Sequence, residues 1–544
     1  MRTSSRGWAT IGLLALVPTG FLVVFFVTPV LGMLRLGLWP GGHLDLGGVG
    51  EVLTRSRTLR VLWFTLWSAT VATLIAVAVG LPLAALLYRR AFPGRAALRA
   101  VVAVPFVLPT VVVGVAFRTL LAESGPLGAL SLDGTAAAII AALVFFNVSV
   151  VVRAVGASWA GLDPRPAEAA ASLGASPLTV ARTVTLPMLR PAIASAASVV
   201  FLFCATAFGV VLTLGGLRHA TIETEIYLLT TQFLDLRAAA ALSVLQLAMV
   251  AVLLVVTSRR QPGAIARRPF RAPLPRARDW PLLAICLAGL VFLVTPLIAL
   301  VVRSLRRESS WTLANYTALN DPSEGSGLLV PVSAALANSL RIAVDATLLA
   351  TLLGLLVSIL VTRPARGHAQ KTLRILDAAF MLPLGVSAVT VGFGFLVTLD
   401  RPPLDFRGSP WLVPIAQALV ALPLVVRTLV PVLGTIDDRQ REALASLGAG
   451  PWRVFLAVDL ALLWRPVAVA VGFAFAVSLG EFGATSFLVR PETPTLPVVI
   501  YQLIGRPGAD SFGLALAASV VLAAVTVAVM GVVERLRPPT MGGW

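Results

Sequence analysis

The sequence is short of charged residues, cysteine, histidine and lysine, and each shortage excludes a class of protein. Only 12% of the 544 residues are charged, whereas 58% are hydrophobic. Long apolar runs recur along the chain, and that pattern excludes a large soluble core. The two cysteines, Cys204 and Cys286, lie in apolar runs and give neither a disulfide framework nor a metal-binding spacing. Three histidines in the whole chain leave no His-rich metal or redox site.

The formal net charge is +18, and nearly all of the positive charge is arginine. A charge of this size invites a nucleic-acid-binding interpretation. Most of the arginines flank apolar segments, however, where the positive-inside rule expects them. We therefore predict no nucleic-acid partner, and we assign the charge to the cytoplasmic side of a membrane protein.

The apolar runs predict an all-α polytopic membrane protein with about twelve transmembrane helices. Each run reaches roughly the 18 residues that a helix needs to cross a bilayer. The loop 89–98 has three arginines and no acid, whereas the loop 122–134 has two acids and no base. This contrast places 89–98 and both termini in the cytoplasm of a multi-pass protein of the cell membrane. The predicted spans are 11–34, 62–88, 100–121, 135–157, 192–214, 237–257, 281–302, 339–362, 375–399, 411–434, 467–488 and 512–533.

The chain repeats itself at a constant difference in residue number, which we call the repeat offset. Positions that match at this offset are Gly80 with Gly354, Arg89 with Arg363, Leu108-Pro109 with Leu382-Pro383, Arg153 with Arg427, Phe208-Gly209 with Phe482-Gly483, and Ile226-Tyr227 with Ile500-Tyr501. Six spans in each half, an even number, predict two parallel six-helix repeats with a pathway between them. We expect a first half over 1–257, a basic cytoplasmic linker over 258–280 beside anionic membrane lipid, and a second half over 281–544.

A polar segment between apolar runs is the best-matched part of the repeat. The first copy runs from Glu168-Ala169-Ala170 through Gly174 to Leu186-Pro187. The second runs from Glu442-Ala443-Leu444 through Gly448 to Leu460-Ala461. The numbers of the two glutamates give the repeat offset, 442 − 168 = 274. Two copies in register make an ordinary amphipathic loop a poor explanation.

The residues of the first copy predict a pair of short helices. The Ala-rich stretch after Glu168 favours a helix, and Gly174 ends it. Ser176-Pro177 is typical of an N-cap followed by a proline at the first helical position. We expect Pro187 and Pro191 to end the second helix at the next span. Such a helix pair suits a groove on another protein.

Both copies resemble the EAA loop of the permease subunits of ABC importers, whose pattern is E-A-A-x3-G-x9-I-x-L-P. The first copy has Val184 in place of Ile, and the second has Leu444 in place of Ala and Ala461 in place of Pro. The resemblance implies that each loop docks on one subunit of an ABC ATPase homodimer, and that an extracytoplasmic substrate-binding protein delivers the cargo. The expected ATPase-coupling residues are Glu168, Ala169, Ala170, Gly174, Pro177, Leu186, Pro187, Glu442, Ala443, Gly448, Pro451 and Leu460.

The ATPase must be a separate polypeptide. A Walker A motif requires a lysine directly after a glycine, and the only lysine, Lys371, follows Gln370. We therefore expect this chain to bind no cofactor and no metal, with ATP-Mg held by the partner ATPase. The chain is expected to be a transport permease and not an enzyme.

Ionisable and aromatic residues inside the predicted spans are candidates for the translocation pathway. Ionisable groups are costly in a membrane, so they are functional candidates by default. Glu481 lies in the eleventh predicted span where the first half has Ala207, and Asp345 lies in the eighth. One interpretation is a pathway lining that favours a cation, and the other is a satisfied structural group. The candidate set is Glu481, Phe482, Phe208, Asp345 and Asn147.

Charged residues also precede the matched Ile-Tyr pairs on the predicted outer side. Glu223 and Glu225 precede Ile226-Tyr227, and Arg490 and Glu492 precede Ile500-Tyr501. These segments either contact a binding protein or form solvated loops.

As a fused permease with two EAA loops, the chain resembles two branches of the family, the thiamine importers and the ferric-iron importers. The strings Gly480-Glu481-Phe482-Gly483 and Thr495-Leu496-Pro497 are similar to the thiamine branch. The resemblance implies a permease that passes thiamine or a related organic cation, with a ferric-iron permease as the alternative. A secondary transporter would not need paired EAA loops. A membrane enzyme would need a cluster of catalytic groups, and the sequence spacing offers none.

Overall fold

Most of the described chain is helical. This computed structural model describes residues 5–216, 218–258, 280–307, 310–321, 330–362, 368–400, 402, 404–436 and 438–536. The α-helices up to residue 258 are α1 Ser5–Leu22, α2 Thr28–Leu38, α3 Leu46–Thr54, α4 Ser56–Arg89, α5 Arg95–Val107, α6 Thr110–Leu121, α7 Ala136–Gly161, α8 Arg165–Ser172, α9 Pro177–Val180, α10 Leu186–Ala205, α11 Gly209–Gly215, α12 Ile222–Thr231 and α13 Leu236–Ser258.

The α-helices from residue 280 onward follow a similar succession. They are α14 Trp280–Ser304, α15 Ala314–Thr317, α16 Val332–Val361, α17 His368–Met381, α18 Ala388–Thr398, α19 Leu412–Leu433, α20 Asp438–Ser446, α21 Pro451–Val454, α22 Ala461–Leu479, α23 Thr485–Leu488, α24 Leu496–Ile504 and α25 Ala509–Leu536. Two short strands, β1 Arg306–Arg307 and β2 Ser310–Trp311, pair antiparallel with Arg306 opposite Trp311. The predicted linker 258–280 falls almost wholly on 259–279, which lie outside the described residues.

Ten helices of the described chain are long and apolar enough to cross a membrane, and an eleventh is present if the bent pair α5 and α6 forms one span. These helices confirm an all-α polytopic membrane protein, while the count of twelve stays a prediction. The third predicted span, 100–121, is not one straight helix, because the chain bends by 102° between α5 and α6. Leu108 is extended there, with ψ 140°, because Pro109 disfavours the helical region for the residue before it.

The ninth predicted span, 375–399, is also interrupted, at the matching proline. Helix α17 ends at Met381, a 3-10 turn covers Leu382–Gly385, and α18 begins at Ala388. Pro383 offers no amide proton to a continuing helix. Pro109 and Pro383 match at the repeat offset, so the repeat includes its broken helices.

The fifth and eleventh predicted spans contain a second kind of break. In the fifth, α10 ends at Ala205 and α11 begins at Gly209. In the eleventh, α22 ends at Leu479 and α23 begins at Thr485. The spans predicted over 192–214 and 467–488 are therefore not continuous helices. Gly480 and Gly483 weaken the helix in the eleventh span, and Gly209 directly follows the break in the fifth. Both runs are largely apolar, so hydropathy alone does not reveal the breaks. Glu481 consequently lies in a break between helices.

The contacts divide the chain into two compact units. The α16 unit draws on Met1–Leu53, Ile226–Leu247 and Tyr316–Met541, and the α4 unit draws on Thr54–Glu225 and Ala248–Asn315. Each unit is therefore built from segments of both sequence halves. The boundaries drawn at 257 and 281 describe the sequence repeat, and as domain boundaries they stay a prediction.

Each unit has an apolar core around its longest helix. In the α4 unit, the rings of Phe117, Phe145 and Phe292 meet edge to face with centroids 5.4 to 6.4 Å apart. In the α16 unit, Leu22 and Phe26 from the first spanning segment belong to a buried cluster with residues of α16 to α19. Burial of these side chains holds the helices in place and so positions the breaks.

The same close helix crossing occurs once in each unit. A Cβ atom on Gly80 of α4 would lie 2.7 Å from Cβ of Val151 on α7. A Cβ atom on Gly354 of α16 would lie 2.6 Å from Cγ1 of Val425 on α19. The two pairs match at the repeat offset, so the duplication extends to side-chain packing.

A buried hydroxyl also recurs at equivalent positions. Thr65 Oγ1 on α4 accepts a hydrogen bond from the amide of Ile222 at 3.1 Å, at the start of α12. Ser339 Oγ on α16 accepts from the amide of Leu496 at 2.7 Å, at the start of α24. Each hydroxyl satisfies an amide that the helix itself leaves without a partner. These two bonds fix the starts of the helices that carry Tyr227 and Tyr501.

We expect Gly80→Ala and Gly354→Ala each to destabilise the protein by about 1–3 kcal/mol, because the added methyl group would overlap a valine. Gly20→Ala is the matched control, since it is also a helical glycine but has no atom within 4 Å of the added Cβ. Thermal unfolding in detergent would measure the difference. Equal unfolding temperatures for all three variants would contradict the described crossing.

Candidate functional site

The first EAA segment, residues 165–187, forms the predicted pair of short helices. Helix α8 carries Glu168 and ends before Gly174, which has φ +84°. The amide of Gly174 donates to the carbonyl of Ala171 at 3.0 Å, and the amide of Ala175 donates to Ala170 at 3.1 Å. This pattern is a Schellman motif, which requires the left-handed conformation that glycine adopts without strain. Ser176 then caps α9, as predicted, by accepting from the amide of Thr179 at 3.2 Å.

The second EAA segment, residues 438–461, has the same turn. Gly448 has φ +82°, and its amide donates to the carbonyl of Ala445 at 3.1 Å. The amide of Ala449 donates to Leu444 at 3.1 Å. Leu444 and Ala461 therefore leave the turn intact, although they depart from the pattern of the first copy. Pro451 begins α21, as Pro177 begins α9.

The second helix of each segment does not end at the proline positions, which corrects the prediction for Pro187 and Pro191. A π-helical turn covers Ala181–Thr185, and the chain runs on through α10 as one apolar stretch over Pro177–Ala205. The i→i+5 bonding of a π turn shifts the hydrogen-bond ladder just before Pro187 and lets the helix continue. The second copy has a π-helical turn at Phe455–Leu460 although Ala461 replaces the proline, so the turn belongs to the repeat.

The two EAA segments expose both charge and apolar surface. Glu168 and Glu442 are exposed. Leu173 is 90% exposed, and its equivalent Leu447 is 82% exposed. The other predicted coupling residues with described side chains are also at the surface, either exposed or half-buried, namely Ala169, Ala170, Gly174, Pro177, Leu186, Pro187, Ala443, Gly448 and Leu460.

Glu481 caps the short helix α23. Its side chain is only 7% exposed. The carboxylate accepts hydrogen bonds from the amide of Ala484 at 2.8 Å, the amide of Thr485 at 3.0 Å and the hydroxyl of Thr485 at 2.5 Å. Three donors around one buried carboxylate satisfy the helix terminus and the acid together. This geometry matches the structural alternative, and the role of Glu481 toward a cation stays a prediction.

The cap continues into a buried polar chain that is present in one half only. Nε2 of Gln417 on α19 donates to Oγ1 of Thr485 at 3.2 Å, which links α19 to the break that holds Glu481. Gln417 is itself only 2% exposed. The residues of the first half that are equivalent to Glu481, Thr485 and Gln417 are Ala207, Val211 and Leu143. The polar chain is therefore a specialisation of the second half.

The other pathway candidates lie in different surroundings. Asn147 is buried on α7, where its Nδ2 donates to the carbonyl of Leu143 at 2.9 Å and contacts Sγ of Cys204 at 3.4 Å. Phe208 is buried at the start of α11, and Asp345 is half-buried on α16. Asn147 and Phe208 belong to the α4 unit, whereas Glu481, Phe482 and Asp345 belong to the α16 unit.

An aromatic cavity lies within the α16 unit. It has a volume of about 200 Å³. The side chains that line it include those of Tyr227, Phe482, Ser486, Arg490, Tyr501 and Gln502. Tyr227 packs edge to face on Phe487 with ring centroids 5.3 Å apart, and Phe482 packs on Tyr501 at 5.4 Å. The sequence prediction included Phe482 but missed both tyrosines. Their match at the repeat offset was the signal that would have found them.

Glu223 and Glu225 are not solvated side chains. Glu223 is fully buried, and Glu225 is almost so. Glu225 forms a two-point ion pair with Arg57 of α4, with Nε to Oε1 at 2.5 Å and Nη2 to Oε2 at 2.8 Å. The partner lies 168 residues away along the chain, so the sequence spacing gave no sign of it.

Comparison with known proteins assigns the family. Residues 76–268 match the profile of the binding-protein-dependent transport system inner membrane component. A thiamine transport system permease protein of Escherichia coli (strain K12) is 30% identical over 463 residues, which is 82% of this chain and 83% of that protein. The chain belongs to the permease family of binding-protein-dependent ABC importers. A thiamine transport system permease protein of Brucella abortus (strain 2308) is 28% identical over 541 residues, with 95% of each chain covered.

The relatives match the chain across both sequence halves. Its relatives are transport permeases and not enzymes, and they match it across both halves, so it is the fused two-half form. It is a multi-pass inner membrane protein that works with a binding protein. A bacterial ABC transporter that imports the polysaccharide alginate superposes with a TM-score of 0.41, at 18% identity, over 47% of this chain and 95% of its own.

Proposed function

We propose that the permease passes thiamine, or a closely related aromatic cation, across the inner membrane. The observation that carries this proposal is the match to thiamine transport system permeases over 95% of both chains. Both relatives named in the preceding subsection are thiamine transport system permeases. Within the described part of the chain, no group of three or more His, Cys, Asp or Glu side chains is arranged to hold a metal ion. Thiamine is therefore favoured over ferric iron.

In this proposal the two EAA segments dock on the two subunits of an ATPase homodimer. Both segments expose a glutamate and a leucine at equivalent positions, beside the same glycine turn. A leucine that is more than four-fifths exposed beside a charged helix suits a contact with another protein. ATP-Mg binds to that ATPase, and this chain binds no cofactor. The EAA segments and both termini then face the cytoplasm, and the binding protein docks on the opposite face.

Reconstitution of the permease with its ATPase and binding protein into proteoliposomes tests the proposed function. We expect accumulation of labelled thiamine that requires ATP on the side of the ATPase and the binding protein on the other side. Excess unlabelled thiamine should compete, whereas ferric ion should not. Accumulation driven by an ion gradient without ATP would indicate a secondary transporter, and uptake of ferric iron in place of thiamine would indicate the other importer branch.

A further inference from the structure

Two repeat-related tyrosines line the same cavity. The chain has only four tyrosines, and two of them, Tyr227 and Tyr501, match at the repeat offset. Both line the cavity of the α16 unit together with Phe482. A duplicated residue would be expected to serve two separate sites, one in each half. Here the fold brings both copies to one site, and this concentrates aromatic surface in a chain that has little tyrosine.

The aromatic wall is held in position by its neighbours. Phe487 packs on Tyr227, and Phe482 packs on Tyr501, so ring contacts restrict both tyrosine side chains. Phe482 directly follows Glu481, whose carboxylate is fixed by three hydrogen bonds at the start of α23. The cap therefore positions Phe482 in the wall. A wall with restricted rotamers binds a ligand at a smaller cost in conformational entropy.

The ring faces of the wall, and not an acidic side chain, are the groups that attract a planar cation. Among the residues that line the cavity, none is an acid, and Ser486 and Gln502 add neutral hydrogen-bonding groups. Aromatic faces attract a cation through their quadrupole, and tyrosine and phenylalanine rings also stack on flat ligands. Arg490 lies at the exposed rim, where its NH2 group donates to the carbonyl of Arg407 at 2.7 Å. Its charge opposes a cation at the rim, so the attraction has to come from the ring faces inside the cavity.

The volume limits the ligand to about one substituted ring. A protein cavity of roughly 150 Å³ holds a benzene molecule. The cavity of about 200 Å³ therefore admits one heteroaromatic ring with its substituents. Such a site contacts only one end of a two-ring cargo and therefore binds it weakly. Weak binding suits a protein that must release what it binds.

We propose that the cavity lined by Tyr227, Phe482 and Tyr501 is a weak binding site for one ring of an aromatic cation. This inference rests on the proposed thiamine transport and adds a site for the cargo within the membrane chain. The site holds the ring by stacking and cation–π attraction. Tight binding is left to the binding protein.

Binding of labelled thiamine to the permease–ATPase complex in lipid nanodiscs, without the binding protein, tests the site. We expect saturable binding by the wild type and an affinity about tenfold weaker in Tyr227→Leu and in Tyr501→Leu, because each loses an aromatic face. Tyr227→Phe and Tyr501→Phe keep the ring and should bind within about twofold of the wild type. Tyr316→Leu is the matched control, since Tyr316 is also half-buried in the α16 unit but does not line the cavity.

Two further experiments test the site without depending on the tyrosine variants. Ser486→Phe fills the cavity without removing a tyrosine and should abolish the binding, even if a leucine variant folds poorly. N-methylthiazolium should displace thiamine at least about fivefold better than neutral thiazole, because only the former carries the charge. Equal displacement by the two rings would overturn the cation assignment.

The outcome also separates this inference from the proposed function. If the wild type takes up thiamine in proteoliposomes but shows no saturable binding without the binding protein, or if Tyr227→Leu and Tyr501→Leu bind as the wild type does, the site is overturned and the function stands. If thiamine is not taken up at all, the proposed function itself fails.

Discussion

Charge reversal at both EAA glutamates, Glu168→Arg with Glu442→Arg, is expected to reduce ATP-driven uptake by about a hundredfold or more. Each exposed acid is proposed to meet the ATPase, and loss of one charged contact at an interface typically costs about 2 kcal/mol or more, which is roughly thirtyfold. The two losses occur at separate contacts, so they should largely add. Because both side chains are exposed, the permease itself should still fold and insert.

The measurement compares thiamine uptake and ATP hydrolysis in the same proteoliposomes. We expect uptake to fall while hydrolysis by the ATPase either loses its stimulation or continues without transport. Glu534→Arg is the matched control, since it reverses an exposed acid of α25 outside both EAA segments and should leave uptake within about twofold. Normal coupling in the Glu168/Glu442 variant would reject the docking role of both EAA segments.

Replacing Glu481 with leucine should have the largest effect on folding of any single change considered. Leucine is apolar and leaves the amides of Ala484 and Thr485 without their acceptor. Each buried donor that loses its partner costs about 1–3 kcal/mol. We therefore expect a loss of about 3 kcal/mol or more, seen as a strongly reduced yield of monodisperse protein in detergent.

Glu481→Gln distinguishes a role of the Glu481 carboxylate in capping α23 from its predicted role in the translocation pathway. The amide retains one acceptor oxygen, so the cap weakens only in part, and the unfolding temperature should fall less than for leucine. Uptake per assembled complex should stay within about threefold of the wild type if the carboxylate serves mainly as a cap. A fall of more than about tenfold in uptake per assembled complex would instead show that its charge assists the cargo.

The local structure of the EAA segments was predictable because its signals lie within a few residues. Gly174 marks the Schellman turn, and Ser176 and Pro177 mark the start of the next helix, without any help from distant contacts. The breaks at Pro109 and Pro383 also have a local cause, but 100–121 and 375–399 were each predicted as one span, and the two prolines were used only as markers of the repeat. The length of the apolar runs was enough to predict a polytopic helical membrane protein, although not to fix the number of its spans.

The remaining features depend on contacts that sequence spacing does not show. The break around Glu481 lies inside an apolar run, so hydropathy suggested a continuous span and placed the acid on a helix. The pairing of Arg57 with Glu225 and the link from Gln417 to Thr485 join residues that are 168 and 68 positions apart. Tyr227 shares a cavity with Tyr501 only because the α16 unit includes a segment of the first half.

The composition of the assembled importer tests most directly whether one chain supplies both docking surfaces. Native mass spectrometry of the complex purified through a tag on the permease would give the stoichiometry. We predict one permease chain with two copies of the ATPase, and we predict that Leu173→Asp combined with Leu447→Asp removes both copies. A complex with two permease chains, or with a single ATPase bound to the wild-type chain, would contradict the proposal that each EAA segment docks one ATPase subunit.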